Sequence, residues 1–132
     1  MKEEVVSFQS AGLRLHGILS VPYGVGPGER RAAFLVLHGF GSNSASPTCI
    51  TPAKVLNEFG YVTLRFDMRS CGKSEGEFGR IICLEQVEDT GNALNFLAQH
   101  GNVDPDRIGV IGSSFGGAVG VYAGGINPRI AA

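Results

Sequence analysis

Tryptophan is absent from this 132-residue chain, and cysteine and methionine are scarce, at three and two. Cys49, Cys71 and Cys83 are an odd number without metal-ligand spacing, so neither a disulfide framework nor a zinc site is expected, and the thiols should be free. No charge sign dominates: 11 Lys and Arg stand against 12 Asp and Glu, for a net charge of −1. Without a basic stripe, nucleic acid is not an expected partner. No apolar run approaches a membrane span, so no membrane partner is expected either. The first ten residues, MKEEVVSFQS, carry acids where a secretory signal would carry basic and then apolar residues, and the expectation is a cytoplasmic protein. Repeats and low-complexity linkers are lacking too. One further absence bears on chemistry. After Ser114 the chain contains no Asp, Glu or His.

Hydrophobic residues are 43% of the chain and charged residues 17%, enough to bury a core in a single domain over residues 1–132. Glycine is plentiful, with 20 residues, clustered at predicted turns. VVSF (5–8) and LRLHGILSV (13–21) read as a hairpin around Ala11-Gly12. AAFLVLH (32–38) is a continuous apolar run, as in a strand buried on both faces. Thr51 followed by Pro52 reads as a helix start, with Val55, Leu56 and Phe59 as an apolar face and Gly60 as the stop. YVTLRFD (61–67) is the next strand. The helix expected over 83–100 carries Leu84, Val87, Gly91, Leu94 and Leu97 on one stripe, with Glu85, Glu88, Asp89 and Asn92 off it. A turn and strand follow over 104–112, then a helix over 114–126, and PRIAA (128–132) reads as the start of another strand.

This alternation implies an α/β fold: a mostly parallel sheet with an N-terminal β-hairpin and helices on both faces. Ligands bind such sheets at the carboxyl ends of the strands. Three loops should meet there, after His38, after Asp67 and after Ser113.

Gly112-Ser113-Ser114-Phe115-Gly116 fits G-x-S-x-G with Ser114 at its centre; Ser113 does not fit, because its flanks are Ile111 and Phe115. The spacing serves a sharp strand-to-helix turn with a strained serine at the apex, glycines permitting close approach, and a helix N-terminus facing a developing oxyanion. Chance alone would produce roughly 0.2 such matches here, so the context decides: an apolar strand before and a helix after. The second motif, Leu37-His38-Gly39-Phe40-Gly41, follows the central strand. Its Phe40 N–H can complete an oxyanion hole with the Phe115 N–H. His38 is expected to shape this loop and not to act as a base. Gly39-Phe40-Gly41 also approaches a dinucleotide-binding fingerprint with Asp67 as its ribose acid. Ser44 at the third glycine position and a helix start delayed by Pro47 and Pro52 count against that. The third motif, Asp67-Met68-Arg69-Ser70-Cys71-Gly72-Lys73-Ser74, reads as a turn, with Asp67 capping backbone and Arg69 in an ion pair.

With the three motifs in this order, the sequence resembles an α/β-hydrolase. The family pattern places HG after strand three, D-x-R-G-x-G-x-S after strand four and G-x-S-x-G after strand five. Ser70 departs from it, standing where the family usually has Gly. The stretches around RFDMRSCGKSEGEFG and CLEQVEDTGNALNFL resemble cinnamoyl or feruloyl esterases and serine aminopeptidase-like hydrolases, and VDPDRIGVIGSSFGG resembles acylaminoacyl-peptidase-like hydrolases. The resemblance implies acyl transfer at Ser114 on a small-molecule ester or amide, an oxyanion hole from Phe40 and Phe115, a supporting loop of His38, Gly39, Gly112 and Gly116, and no metal or organic cofactor.

In this fold the triad order is Ser, acid, His. His16 lies in an early strand, His100 follows the long helix and so falls at the far end of the sheet, and His38 belongs to the oxyanion loop. The expectation is therefore a fragment ending near strand six, inactive by itself, with a sheet edge that invites self-association.

Overall fold

A computed structural model describes all 132 residues. In chain order the elements are β1 (Lys2–Ser10), β2 (Leu13–Val21), β3 (Arg31–Leu37), α1 (Pro47–Glu58), β4 (Val62–Phe66), α2 (Cys83–Ala98), β5 (Val103–Gly112) and α3 (Phe115–Ile126). The five strands form one sheet in the order β1-β2-β4-β3-β5. Its centre is parallel, with β3 between β4 and β5, and the β1-β2 hairpin extends it antiparallel. Ala11 and Gly12 have φ of 51° and 78°, so both central turn residues are left-handed, as the tight I′ hairpin turn requires. Strand β1 starts three residues earlier than its apolar residues imply, because Lys2, Glu3 and Glu4 pair with Val21, Ser20 and Leu19.

Alternation along β3 divides the core. Ala33, Leu35 and Leu37 face the larger cluster, which includes Leu94, Leu97, Val119 and Ala123 of α2 and α3. Val36 points the other way, to Cys49 and Ala53 of α1. Each fully buried Leu is worth about 1.5–3 kcal/mol of transfer free energy. The sheet is therefore covered on both faces, as expected.

Two helices differ in detail from their sequence reading. Helix α1 begins at Pro47, capped by Ser46, whose Oγ accepts the Thr48 N–H at 3.3 Å. Ser46-Pro47 carries the same start signal as Thr51-Pro52, and Pro52 is accommodated within the helix. The buried face is Cys49, Ala53 and Asn57, while Phe59 is 76% exposed and Val55 is exposed too. The stop at Gly60 is as expected: the Tyr61 N–H reaches Leu56 O and the Gly60 N–H reaches Asn57 O, with Gly60 at φ 96°. Helix α2 ends at Ala98; Val87, Leu94 and Leu97 of the expected stripe are buried, but the inner face is broader than that stripe. Gln86, Asp89 and Thr90 are buried with Ala93, Leu94 and Leu97, while Leu84 is exposed. The inclusion of Asp89 follows from its buried partners, Arg69 and Ser10. Beyond α3, Ile130 bridges Ile108 in parallel, and the Ala131 N–H donates to Ile108 O at 2.8 Å. The PRIAA segment thus lies alongside β5.

Candidate active site

Leu37 and Gly112 are register partners at the carboxyl ends of the adjacent parallel strands β3 and β5. The segments that leave them, His38-Gly39-Phe40 and Ser113-Ser114-Phe115, therefore start side by side. Strand β4 lies on the other side of β3 and delivers Asp67, Met68 and Arg69 to the same edge.

Ser114 is the N-cap of α3, with φ 55° and ψ −122°, and its side chain makes no cap bond. Outside glycine this conformation is strained by about 1–3 kcal/mol, and such strain persists only where the surroundings impose it. Here the imposition comes from close packing. A Cβ on Gly116 would stand 2.5 Å from His38 O and 2.6 Å from Leu37 O, and one on Gly112 would run into the Gly116 carbonyl. A Cβ on Gly39 would come within 4.0 Å of the Ser114 Cβ. The turn presents Ser114 at the surface, at the positive end of the α3 dipole. Phe115 is the first residue of α3, and neither its N–H nor that of Phe40 is bonded to a backbone carbonyl. The two rings meet edge to face, with centroids 5.4 Å apart. The structure thus brings Phe40, Phe115, Gly39 and Ser114 together.

His38 is fully buried, and both ring nitrogens are used within the loop system. The Met68 N–H can only donate, so Nε2 accepts it, at 3.1 Å, and the ring proton sits on Nδ1, which donates to Gly39 O at 2.7 Å. Burial pushes the His38 pKa below its ordinary value, against the opposing effects of the Gly39 bond and the Asp67 charge. With its Nε2 lone pair committed to Met68, this imidazole has none to offer Ser114. His16 lies within β2, and His100 caps the opposite end of the molecule, next to Asn102 and the start of β5.

Asp67 is buried, with Oδ1 accepting the Ser44 N–H at 2.6 Å and Oδ2 accepting the Lys73 N–H at 3.0 Å. Both oxygens hold backbone, which leaves no free carboxylate for a ribose. Sequence reasoning missed Asp89. It accepts from Arg69 N at 2.9 Å, Arg69 Nε at 3.1 Å and Ser10 Oγ at 2.6 Å, while Glu88 holds the other end of Arg69. The signal was available: Asp89 shares a helical face with Ala93 and Leu97, and a carboxylate there needs a cation.

The sheet order, the helix on each face and the serine-bearing turn at the edge define an α/β-hydrolase. A family model described as serine aminopeptidase, S33, matches residues 28–132, and the chain belongs to that family. It is similar to the alpha/beta hydrolase GrgF from Penicillium sp. sh18, with a TM-score of 0.89 at 28% identity over 99% of this chain and 44% of that one. It is also similar to Est1E from Butyrivibrio proteoclasticus, whose structure holds ferulic acid, with a TM-score of 0.86 at 25% identity over 95% of this chain and 49% of that one. The thiohydrolase aneE from Aspergillus aculeatus is 34% identical over 122 residues, which are 90% of this chain and 36% of that protein. The chain therefore spans less than half the length of each of these three proteins. No helix is long and apolar enough to cross a membrane.

Proposed function

We propose that these residues are the nucleophile-bearing part of a serine hydrolase of carboxylic esters. Ser114 Oγ attacks the ester carbonyl carbon. The carbonyl π pair moves onto oxygen, where the Phe40 and Phe115 N–H groups receive the charge. Collapse of the tetrahedral intermediate expels the alcohol and leaves an acyl group on Ser114, which water then hydrolyses. The observation that carries this reading is the Leu37–Gly112 pairing, which sets the two loops side by side with Ser114 held at positive φ.

The proton on Ser114 Oγ needs a base. No Asp, Glu or His follows Ser114 in these residues, and the His38 lone pair is committed. We propose that the acid and the histidine come from polypeptide beyond these 132 residues, and that the 132 residues alone do not turn over. The thiohydrolase and the ferulic acid-binding relative favour esters and thioesters. The family's aminopeptidase description favours peptide bonds as the second reading. The third reading is a non-catalytic scaffold, which the missing base favours.

The test is acylation of the chain by p-nitrophenyl acetate, followed by intact and peptide mass spectrometry. The expected result is one acetyl group on Ser114, absent in Ser114→Ala, formed faster with added imidazole and retained once the imidazole is removed, because deacylation then lacks a base. Acetyl groups spread over Ser113 and the lysines, with no preference for Ser114, would reject the enzyme readings in favour of the scaffold. A Ser114-dependent steady turnover would show that a base lies within the chain.

A further inference from the structure

We infer that Asp67 is a positioning residue for the oxyanion loop. The inference rests on the reading of Phe40 as an oxyanion donor. The loop that carries Phe40 runs from His38 to Ser44, and the carboxyl end of β4 holds it at both ends. At the start, the Met68 N–H is bonded to His38 Nε2. At the finish, Asp67 Oδ1 accepts the Ser44 N–H and Arg65 Nη1 donates to Ser44 O at 2.8 Å. Between these anchors the only backbone bond is Ser42 N–H to Gly39 O, at 3.2 Å. A short loop pinned at both ends has few conformations left, so the direction of the Phe40 N–H follows from the anchors.

The second oxygen of Asp67 couples this loop to the next one. Oδ2 accepts the Lys73 N–H, and the Asp67 carbonyl accepts Ser74 Oγ at 2.6 Å. Gly72 lies so close that a Cβ on it would stand 2.5 Å from the Asp67 carboxyl carbon. Ile81, which closes the 67–81 segment, comes within 3.7 Å of where a Gly41 Cβ would be. One carboxylate therefore sets two of the three loops at the site edge. Its charge makes both bonds stronger than neutral ones. An apolar residue or an amide cannot replace it, because it must accept from both sides at once.

Backbone amide exchange followed by NMR tests this on the chain as it stands, in Asp67→Asn and in Gly72→Ala. The first removes one of the two acceptors; the second keeps the carboxylate and displaces it. The expected result in both is exchange about ten- to a hundredfold faster at Ser42 and Ser44, with a shifted Phe40 amide resonance, while Leu35 and Leu64 in the sheet keep their protection. Imidazole-driven acetylation of Ser114 should slow in the same variants. Unchanged exchange at Ser42 and Ser44, or equal loosening of Leu35 and Leu64, overturns the inference. So does a loosened loop with acetylation at the unaltered rate. Absence of acetylation in the parent chain counts against the hydrolase reading alone, since the exchange pattern still decides whether Asp67 sets the loop.

Discussion

Gly116 lies against the carbonyl of His38 so closely that a Cβ there would begin 2.5 Å from that oxygen. Helix α3 and the loop after β3 are thus in direct backbone contact, and Ser114 is pinned at the turn between β5 and α3.

Gly116→Ala measures that contact. Alanine in a helix is favoured over glycine by about 1 kcal/mol. The obstruction is backbone of β3 and its following loop, held by the sheet, and overpacking of such a site costs about 1–3 kcal/mol. The clash should outweigh the propensity, because Leu37 O stands nearly as close, at 2.6 Å, and both obstructing atoms are backbone. Urea unfolding should show a net loss of stability.

Ser114→Gly should abolish acetylation and relieve the strain at φ 55°, about 1–3 kcal/mol, for a smaller net gain once glycine's entropic cost of about 0.5–1 kcal/mol is subtracted. Ser114→Ala abolishes acetylation and keeps the strain, so it should show no such gain in unfolding experiments. A Ser114→Gly chain less stable than Ser114→Ala by glycine's full entropic cost would mean that the turn stores nothing.

His38 makes stability depend on pH. Its pKa is lowered in the folded state, so the unfolded chain binds the proton more readily. Its contribution is complete above the unfolded pKa, about 6.5, and is lost as the pH falls through the folded value. Protonation also removes the acceptor for the Met68 N–H. Unfolding free energies at pH 7.5 and 5.5 should differ by more in the parent chain than in His38→Gln.

The three thiols should react in order of access. Cys49 is buried, and burial pushes its pKa up to about 11; Cys71 is buried and also raised, while Cys83 is half-buried. At pH 8, iodoacetamide should modify Cys83 first, with Cys49 and Cys71 reacting only on unfolding. Prior modification of Cys49 in the native protein would contradict its place in the α1 interface.

The outer flank of β5 is apolar on both sides. One groove, of about 540 Å³, is lined by Val110, Val121 and Ile130; another, of about 440 Å³, by Val36, Pro47 and Thr51; Ile111 borders both. The 130–132 segment already bonds the β5 edge at Ile108 and Val110, so the grooves beside Ile111 are what is left to associate. Sedimentation velocity should show concentration-dependent self-association, and Ile111→Lys should shift the chain towards monomer. A parent chain that stays monomeric at every concentration would remove this expectation.

Apolar runs and turn residues were enough to read the order of elements, because a strand covered on both faces must be apolar throughout and a left-handed turn selects glycine. The hairpin at Ala11-Gly12, the β3 run and the stop at Gly60 were legible for that reason. Ser114 was singled out over Ser113 by glycine spacing alone, since only that register lets strand and helix approach. Which face of α1 turns inward was not legible, and on α2 the stripe of Val87, Leu94 and Leu97 was legible while the buried polar residues beside it were not. Phe59 stays exposed while Asn57 is buried, and Asp89 is buried while Leu84 is exposed, because partners distant in sequence decide it: Ser20 O for Asn57, and Arg69 and Ser10 for Asp89. The tertiary structure alone joined His38 to Met68 and Ser44 to Asp67. Those bonds span 30 and 23 residues and exist because the parallel pairing of β3 and β4 brings the ends of both strands to one edge.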